Sequence, residues 1–189
     1  AVMRVFIAGL LGGLVIFIWG AVSHMALPLG EMGMAETKNE DAVITVLKEN
    51  MPKSGIYFVP GLSNAQMSDD AAVKAYQAKA TSQPNAFVIF QEQGRDGTQM
   101  GQNLLREYIS NTLAALIAAS ILALGAFSTS KRILISVGLG LFSWLTVSAP
   151  YWNWYRFPQD FSLANLAELL IGWLLAGSVM AWWLGRSGR

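Results

Sequence analysis

The chain has 189 residues, 53% of them hydrophobic and only 13% charged, with a formal net charge of +1 and a mean hydropathy of +0.41. Soluble domains carry about a quarter charged residues, so this composition predicts an α-helical membrane protein. Cysteine is absent, which excludes disulfides, zinc–thiolate centres, iron–sulfur clusters and cysteine nucleophiles.

Arg4 and His24 enclose 19 uncharged residues. Roughly 20 apolar residues cross a hydrocarbon core, so the first transmembrane helix is expected at 4–23. Ala21-Val22-Ser23 has the small-x-small pattern of a signal-peptide cleavage site. The run is longer than an ordinary h-region, so an uncleaved helix is expected. Gly9 and Gly13 form a GxxxG pair. Ala114/Ala118, Ala115/Ala119 and Gly172/Ala176 repeat the spacing. Such positions let helices approach closely, and packing inside one bundle is the expectation, with an oligomer contact as the alternative.

The stretch "IWGAVSHMALPLGEMGM", Ile18 to Met34, holds the one histidine of the chain, His24. Pro28 disfavours helix just before it, so the helix should end near Ser23–Ala26. Histidine and thioether ligands suit Cu(I), which makes His24, Met25, Met32 and Met34 the candidate metal ligands. Apolar filling is the plainer role of methionine, and a single histidine without cysteine is a poor set for zinc or iron.

Residues 24–104 read as a small extracytoplasmic α/β domain of order α-β-α-β. "TKNEDAVITVLKENM" opens with the capping-box pair Thr37 and Glu40. "GIYFV", ended by Pro60-Gly61, reads as a strand. "SDDAAVKAYQAKA" is a second helix for which Ser68 can cap, and "AFVIF" is a second strand. Two strands joined through a helix predict a parallel pair with a right-handed crossover. Their continuously apolar character predicts that both faces are covered. About 80 residues around a two-stranded sheet make a marginal core, so the domain is expected to need a neighbour.

Three further spans are expected at 105–127, 132–150 and 163–185, giving a four-transmembrane-helix bundle with the α/β domain inserted between helices 1 and 2. Arg4, Lys131, Arg132, Arg186 and Arg189 fall on one side with no acid beside them, a balance of +5 against −4 on the other side. The positive-inside bias puts both termini in the cytoplasm, and residues 24–104 and 151–162 outside, in a bacterial-type inner membrane. No basic patch with interleaved aromatics argues for nucleic acid.

Glu168 is the only charge between Phe161 and Gly185. An acid inside a span is costly and points to function unless a partner neutralises it. Arg156 and His24 lie at a similar depth and are the partners available. His24, Glu168 and Arg156, with Trp152 and Trp154 of "SAPYWNWYRFP", therefore form the candidate ligand site at the outer interface. Aromatic belts are ordinary there, and a lipid or quinone groove is the sharper alternative. No phosphate loop, dinucleotide fingerprint, HExxH or GxSxG motif is present, and no catalytic residue is assigned.

These features predict a non-catalytic inner-membrane protein, an accessory, scaffold or assembly subunit. Its partners are the lipid bilayer and a protein neighbour or a second copy. The alternative is a small-molecule, lipid or copper binding or transport protein.

Overall fold

The computed structural model describes residues 2–186 and is mostly helical. In chain order the elements are α1 (Val2–Met25), α2 (Glu40–Asn50), β1 (Gly55–Val59), α3 (Asp70–Ser82), β2 (Ala86–Phe90), α4 (Gly101–Leu122), α5 (Thr129–Ser143), α6 (Ala149–Tyr155) and α7 (Gln159–Gly185). Short 3-10 turns lie at Pro28–Gly30 and Asn64–Gln66, and a π-helical segment, Trp144–Ser148, joins α5 to α6. The chain divides into two units: one runs to Ala35 and resumes at Thr98, the other is Glu36–Gly97.

In the first unit three helices are long and apolar enough to cross a membrane: Val2–Met25, the continuous Thr129–Tyr155, and Gln159–Gly185. α4 has 22 residues, but Arg106, Glu107 and Asn111 occupy its first half and shorten its apolar stretch. It ends at Leu122, short of the expected 127.

α1 packs between α4 and α7, and α7 between α1 and α5, so the order is α4–α1–α7–α5. Glycines make these contacts possible. A Cβ on Gly9 would lie 2.5 Å from Leu116, and one on Gly13 would lie 2.6 Å from the Thr112 backbone. The GxxxG pair is thus spent inside the chain, against α4. Gly12 turns toward Met180 of α7 and Gly140 of α5 toward Trp173 of α7. Ala8, Ala115, Ala118, Ala119, Ala176 and Met180 form the centre of the core. Small side chains there maximise van der Waals contact where no hydrophobic drive brings helices together.

The basic residues gather at one end of these helices. Arg4 donates from Nη2 to the carbonyls of Trp183, at 3.2 Å, and Leu184 at the end of α7. Arg132 Nε donates to the Leu122 carbonyl that ends α4, at 3.3 Å. Cations there satisfy orphan carbonyls and match the negative helix end. Arg189, the last of the basic set, lies outside the described residues.

The third apolar helix does not stop at 150 as expected. Proline has no N–H and its ring clashes with the carbonyl four residues back. The chain meets this at Pro150 by widening: the Ala149 N–H bonds Trp144 O, five residues back. Such π segments absorb irregularities that would otherwise break a helix. The helix then continues to Tyr155 and ends at Arg156 in the left-handed region, φ 57°. Trp152 and Trp154 therefore lie on α6, not in a loop.

The second unit corrects four expectations. Asn39, not Thr37, caps α2, accepting from the Ala42 N–H at 3.0 Å. That cap leaves Glu40 and Asp41 in the first turn, where the helix end favours acids. Asp69, not Ser68, caps α3, accepting from Ala71 N at 2.9 Å; a carboxylate outdoes a hydroxyl at a positive helix end. The strands are antiparallel, with register from Gly55↔Phe90 to Val59↔Ala86. A crossover helix enforces parallel strands only if it packs across the sheet. α3 buries no residue and makes no extensive contact with either strand, so nothing imposes the crossover. The sheet is also not covered on both faces: Ile56 and Ile89, paired on one face, are 62% and 63% exposed.

Candidate functional site

The last turns of α1 carry Trp19, Gly20, Ser23 and His24. A spacing of three and four residues puts Gly20, Ser23 and His24 next to one another on the helix surface. α7 supplies Glu168, nine residues from its first residue and so about 14 Å along its axis. A helix started at 163, as expected from the sequence, would put it about 7.5 Å from the first residue.

Trp19 fixes the two helices against each other. Its ring packs on Gly172, where a Cβ would lie 2.9 Å from ring carbon Cδ1. Its Nε1 donates to the Glu168 carbonyl at 3.0 Å. The carboxylate of Glu168 then faces α1. Ser23 Oγ, fully buried, donates to Glu168 Oε1 at 2.7 Å. His24 Nδ1 stands 3.2 Å from the same oxygen, with side-chain exposures of 55% for His24 and 21% for Glu168.

The hydrogen-bond inventory assigns the imidazole. Nδ1 is 3.0 Å from Gly20 O and 3.2 Å from Glu168 Oε1. Both are acceptors, and the Ser23 hydroxyl, 3.0 Å from Nδ1, gives its own hydrogen to Glu168 and turns a lone pair to the ring, so Nδ1 carries a proton and the neutral form of the ring has its lone pair on Nε2. Nε2 has no hydrogen-bond partner among the described residues. The arrangement satisfies a carboxylate that would otherwise be costly between apolar helices. It also leaves one ring nitrogen without a protein partner on a half-exposed side chain.

Of the residues singled out from the sequence, His24 and Glu168 come together. Arg156 does not join them. It is exposed at the end of α6, and among the described residues it forms no ion pair or hydrogen bond with Glu168. Trp152 and Trp154 are exposed on α6 and form no hydrogen bond among the described residues. Tyr151, Phe157 and Phe161 instead link in ring contacts at 5.5 Å. Among the described residues no three of His, Asp and Glu converge as a metal group. Met25 is the last residue of α1, Met32 is half-buried, and Met34 is exposed.

Ser23, Gly20 and Trp19 belong to the site and sequence reasoning did not assign them. A second polar set was also missed: Ser148 Oγ donates to Asn165 Oδ1 at 2.8 Å, and Trp144 Nε1 to Ser162 O at 2.9 Å, tying the π segment to α7. The signal for these was available, since Ser148, Ser162 and Asn165 are polar residues at the margins of apolar runs.

No protein-family model matches the chain, and neither the curated proteins nor the solved structures contain a match to it.

Proposed function

We propose that the chain is a non-catalytic integral protein of a bacterial-type cytoplasmic membrane, an accessory or assembly subunit whose Glu36–Gly97 unit contacts a protein partner or a second copy. In this reading α4 is a fourth span. It lies antiparallel along α1 through Leu116 on Gly9 and Thr112 on Gly13, which supports a common depth in the bilayer. Arg4, Lys131, Arg132 and Arg186 mark the cytoplasmic end. Glu36–Gly97 and the segment around Arg156 then face outward.

The observation that carries the role is the weak core of the Glu36–Gly97 unit. Among its described residues only Met51 and Phe90 are buried hydrophobics, and neither α2 nor α3 buries a residue. Apolar burial is the main source of stability, and a two-stranded sheet without cover is marginal. Such a unit gains stability by binding, because association shifts the folding equilibrium.

Two measurements test this. Native mass spectrometry of the full chain from mild detergent should show a homo-oligomer or a retained protein. Hydrogen exchange should show residues 36–97 protected in that assembly and fast-exchanging in monomer. A strict monomer whose 36–97 segment is fully protected would sink the reading. The chain has no cysteine, so single-cysteine variants at Ser130 and Ser82 report sidedness. Labelling of both from the same side overturns the four-span topology.

A further inference from the structure

We propose that His24, Met25 and Met32 form a binding site for a soft monovalent cation, Cu(I), ligated by His24 Nε2 and the two thioether sulfurs. The inference stands apart from the accessory role above, and the two fail separately.

The first support is how His24 is held. A metal-binding imidazole characteristically gives its second ring N–H to a carboxylate or a backbone carbonyl, which fixes tautomer and orientation and raises the basicity of the ligating nitrogen. Nδ1 of His24 meets both kinds of acceptor, Gly20 O at 3.0 Å and Glu168 Oε1 at 3.2 Å. Ser23 holds that carboxylate in turn at 2.7 Å. Nε2 is the nitrogen left over. The Glu168 charge behind the ring also offsets a bound monovalent cation at an otherwise apolar helix end.

The second support is the fold of the segment after α1. Leu27 N bonds Val22 O at 3.0 Å, and Glu31 N bonds Pro28 O at 3.2 Å. The chain therefore turns back over the end of α1 instead of leaving it. Gly30 lies directly on the imidazole: a Cβ there would sit 2.6 Å from His24 Cδ2. Gly33, at φ +79°, is anchored on α7, where a Cβ would meet Phe161 at 2.6 Å. Met32 is held between these two anchors. It is two residues from Gly30, a Cα separation of at most about 7 Å, and it is half-buried where Met34 is exposed. Met25 directly follows His24 and is 80% exposed. It is not part of the α1–α7 core.

The donor set selects the ion. One imidazole with thioethers, and no thiolate, is a soft and weakly charged set. It suits Cu(I) and not Zn(II), which takes several histidines, thiolates or carboxylates.

The test uses the full chain in detergent micelles, titrated anaerobically with Cu(I) against a chromophoric Cu(I) chelator. The expected result is one Cu(I) per chain with mixed nitrogen and sulfur scattering in the X-ray absorption spectrum. Met25→Leu with Met32→Leu preserves apolar volume and should remove the sulfur scattering and lose the ion to the chelator. Glu168→Gln should weaken binding by about tenfold or more through His24, with helicity by circular dichroism unchanged. Wild-type chain that cannot compete with the chelator, a double methionine variant that binds as wild type does, or preferential retention of Zn(II) would each overturn the proposal.

Discussion

The Ser23 hydroxyl donates to the Glu168 carboxylate across 2.7 Å and joins residues 145 apart in the chain. The bond closes the α1–α7 interface at a fully buried serine. Its net worth is modest, because interhelical hydrogen bonds in membranes average about 0.6 kcal/mol and reach about 1.7. Removing the acceptor is worse than removing the bond, since the buried Ser23 hydroxyl and the half-exposed His24 Nδ1 would then share one remaining acceptor, Gly20 O, at 3.0 Å from each. Glu168→Ala is expected to destabilise the chain by about 1–3 kcal/mol, and Glu168→Gln, which keeps an acceptor oxygen, by less than half of that. Ser23→Ala should cost about 1 kcal/mol. Thermal or denaturant unfolding in a fixed detergent, followed by the near-UV signal of the tryptophans, measures all three. An Ala variant as stable as the Gln variant would show that the carboxylate is not held as described.

The glycine face of α1 makes a sharper forecast. A Cβ on Gly13 would meet Thr112 N and Cα at 3.0 and 2.6 Å, and backbone cannot step aside as a flexible side chain can. Gly13→Val should therefore separate α1 from α4 and cost at least about 1–3 kcal/mol, the range for overpacking. Gly20 provides the control on the same helix. Nothing lies within 4 Å of a Cβ there. Gly20→Ala should be neutral or stabilise by up to about 1 kcal/mol, the helix-propensity difference. Equal losses at both positions would refute the close α1–α4 approach.

What the sequence made legible follows what each feature depends on. The apolar helices rest on local composition, so α1 and α7 are readable from their uncharged runs. Glu168 could be given two partners, His24 and Arg156, because both flank its apolar run at a similar depth, and only the packing of α7 on α1 selects His24. Strand direction is different: it depends on whether α3 packs across the sheet. The small, mixed face of "DAAVKAYQAKATS" carries that information only weakly. Pro150 reads as a helix stop, and the π turn at Trp144–Ser148 that carries the helix past it has no local composition of its own. Ser23 reads as part of a cleavage pattern, and its place beneath Glu168 emerges only when α7 lies alongside α1.

Arg156 offers a separation of backbone from charge. It ends α6 with φ 57°, a conformation that costs an ordinary L-residue about 1–2 kcal/mol and glycine almost nothing. If its task is to end that helix, Arg156→Gly should be neutral or stabilising and Arg156→Val clearly destabilising. Arg156→Gly should also leave Cu(I) binding at His24 unchanged. A chain that unfolds at lower temperature as Arg156→Gly would place the importance in the guanidinium instead.

The caps of the Glu36–Gly97 unit give the last forecast, and one that distinguishes neighbours in sequence. Asn39 Oδ1 accepts from Ala42 N at 3.0 Å and Asp69 Oδ1 from Ala71 N at 2.9 Å. Replacing a capping Asn or Asp by Ala costs about 1 kcal/mol. The unit buries so little that its helices have no reserve of tertiary packing against such a loss, and isolated helices of this length are marginal in water. Asn39→Ala should therefore speed amide exchange throughout Glu40–Asn50, and Asp69→Ala should do so throughout Asp70–Ser82. Thr37→Ala and Ser68→Ala should leave both segments as they are. Hydrogen exchange read by mass spectrometry resolves the four variants in one experiment, and a larger effect from Thr37 than from Asn39 would return the cap to the Thr37–Glu40 box.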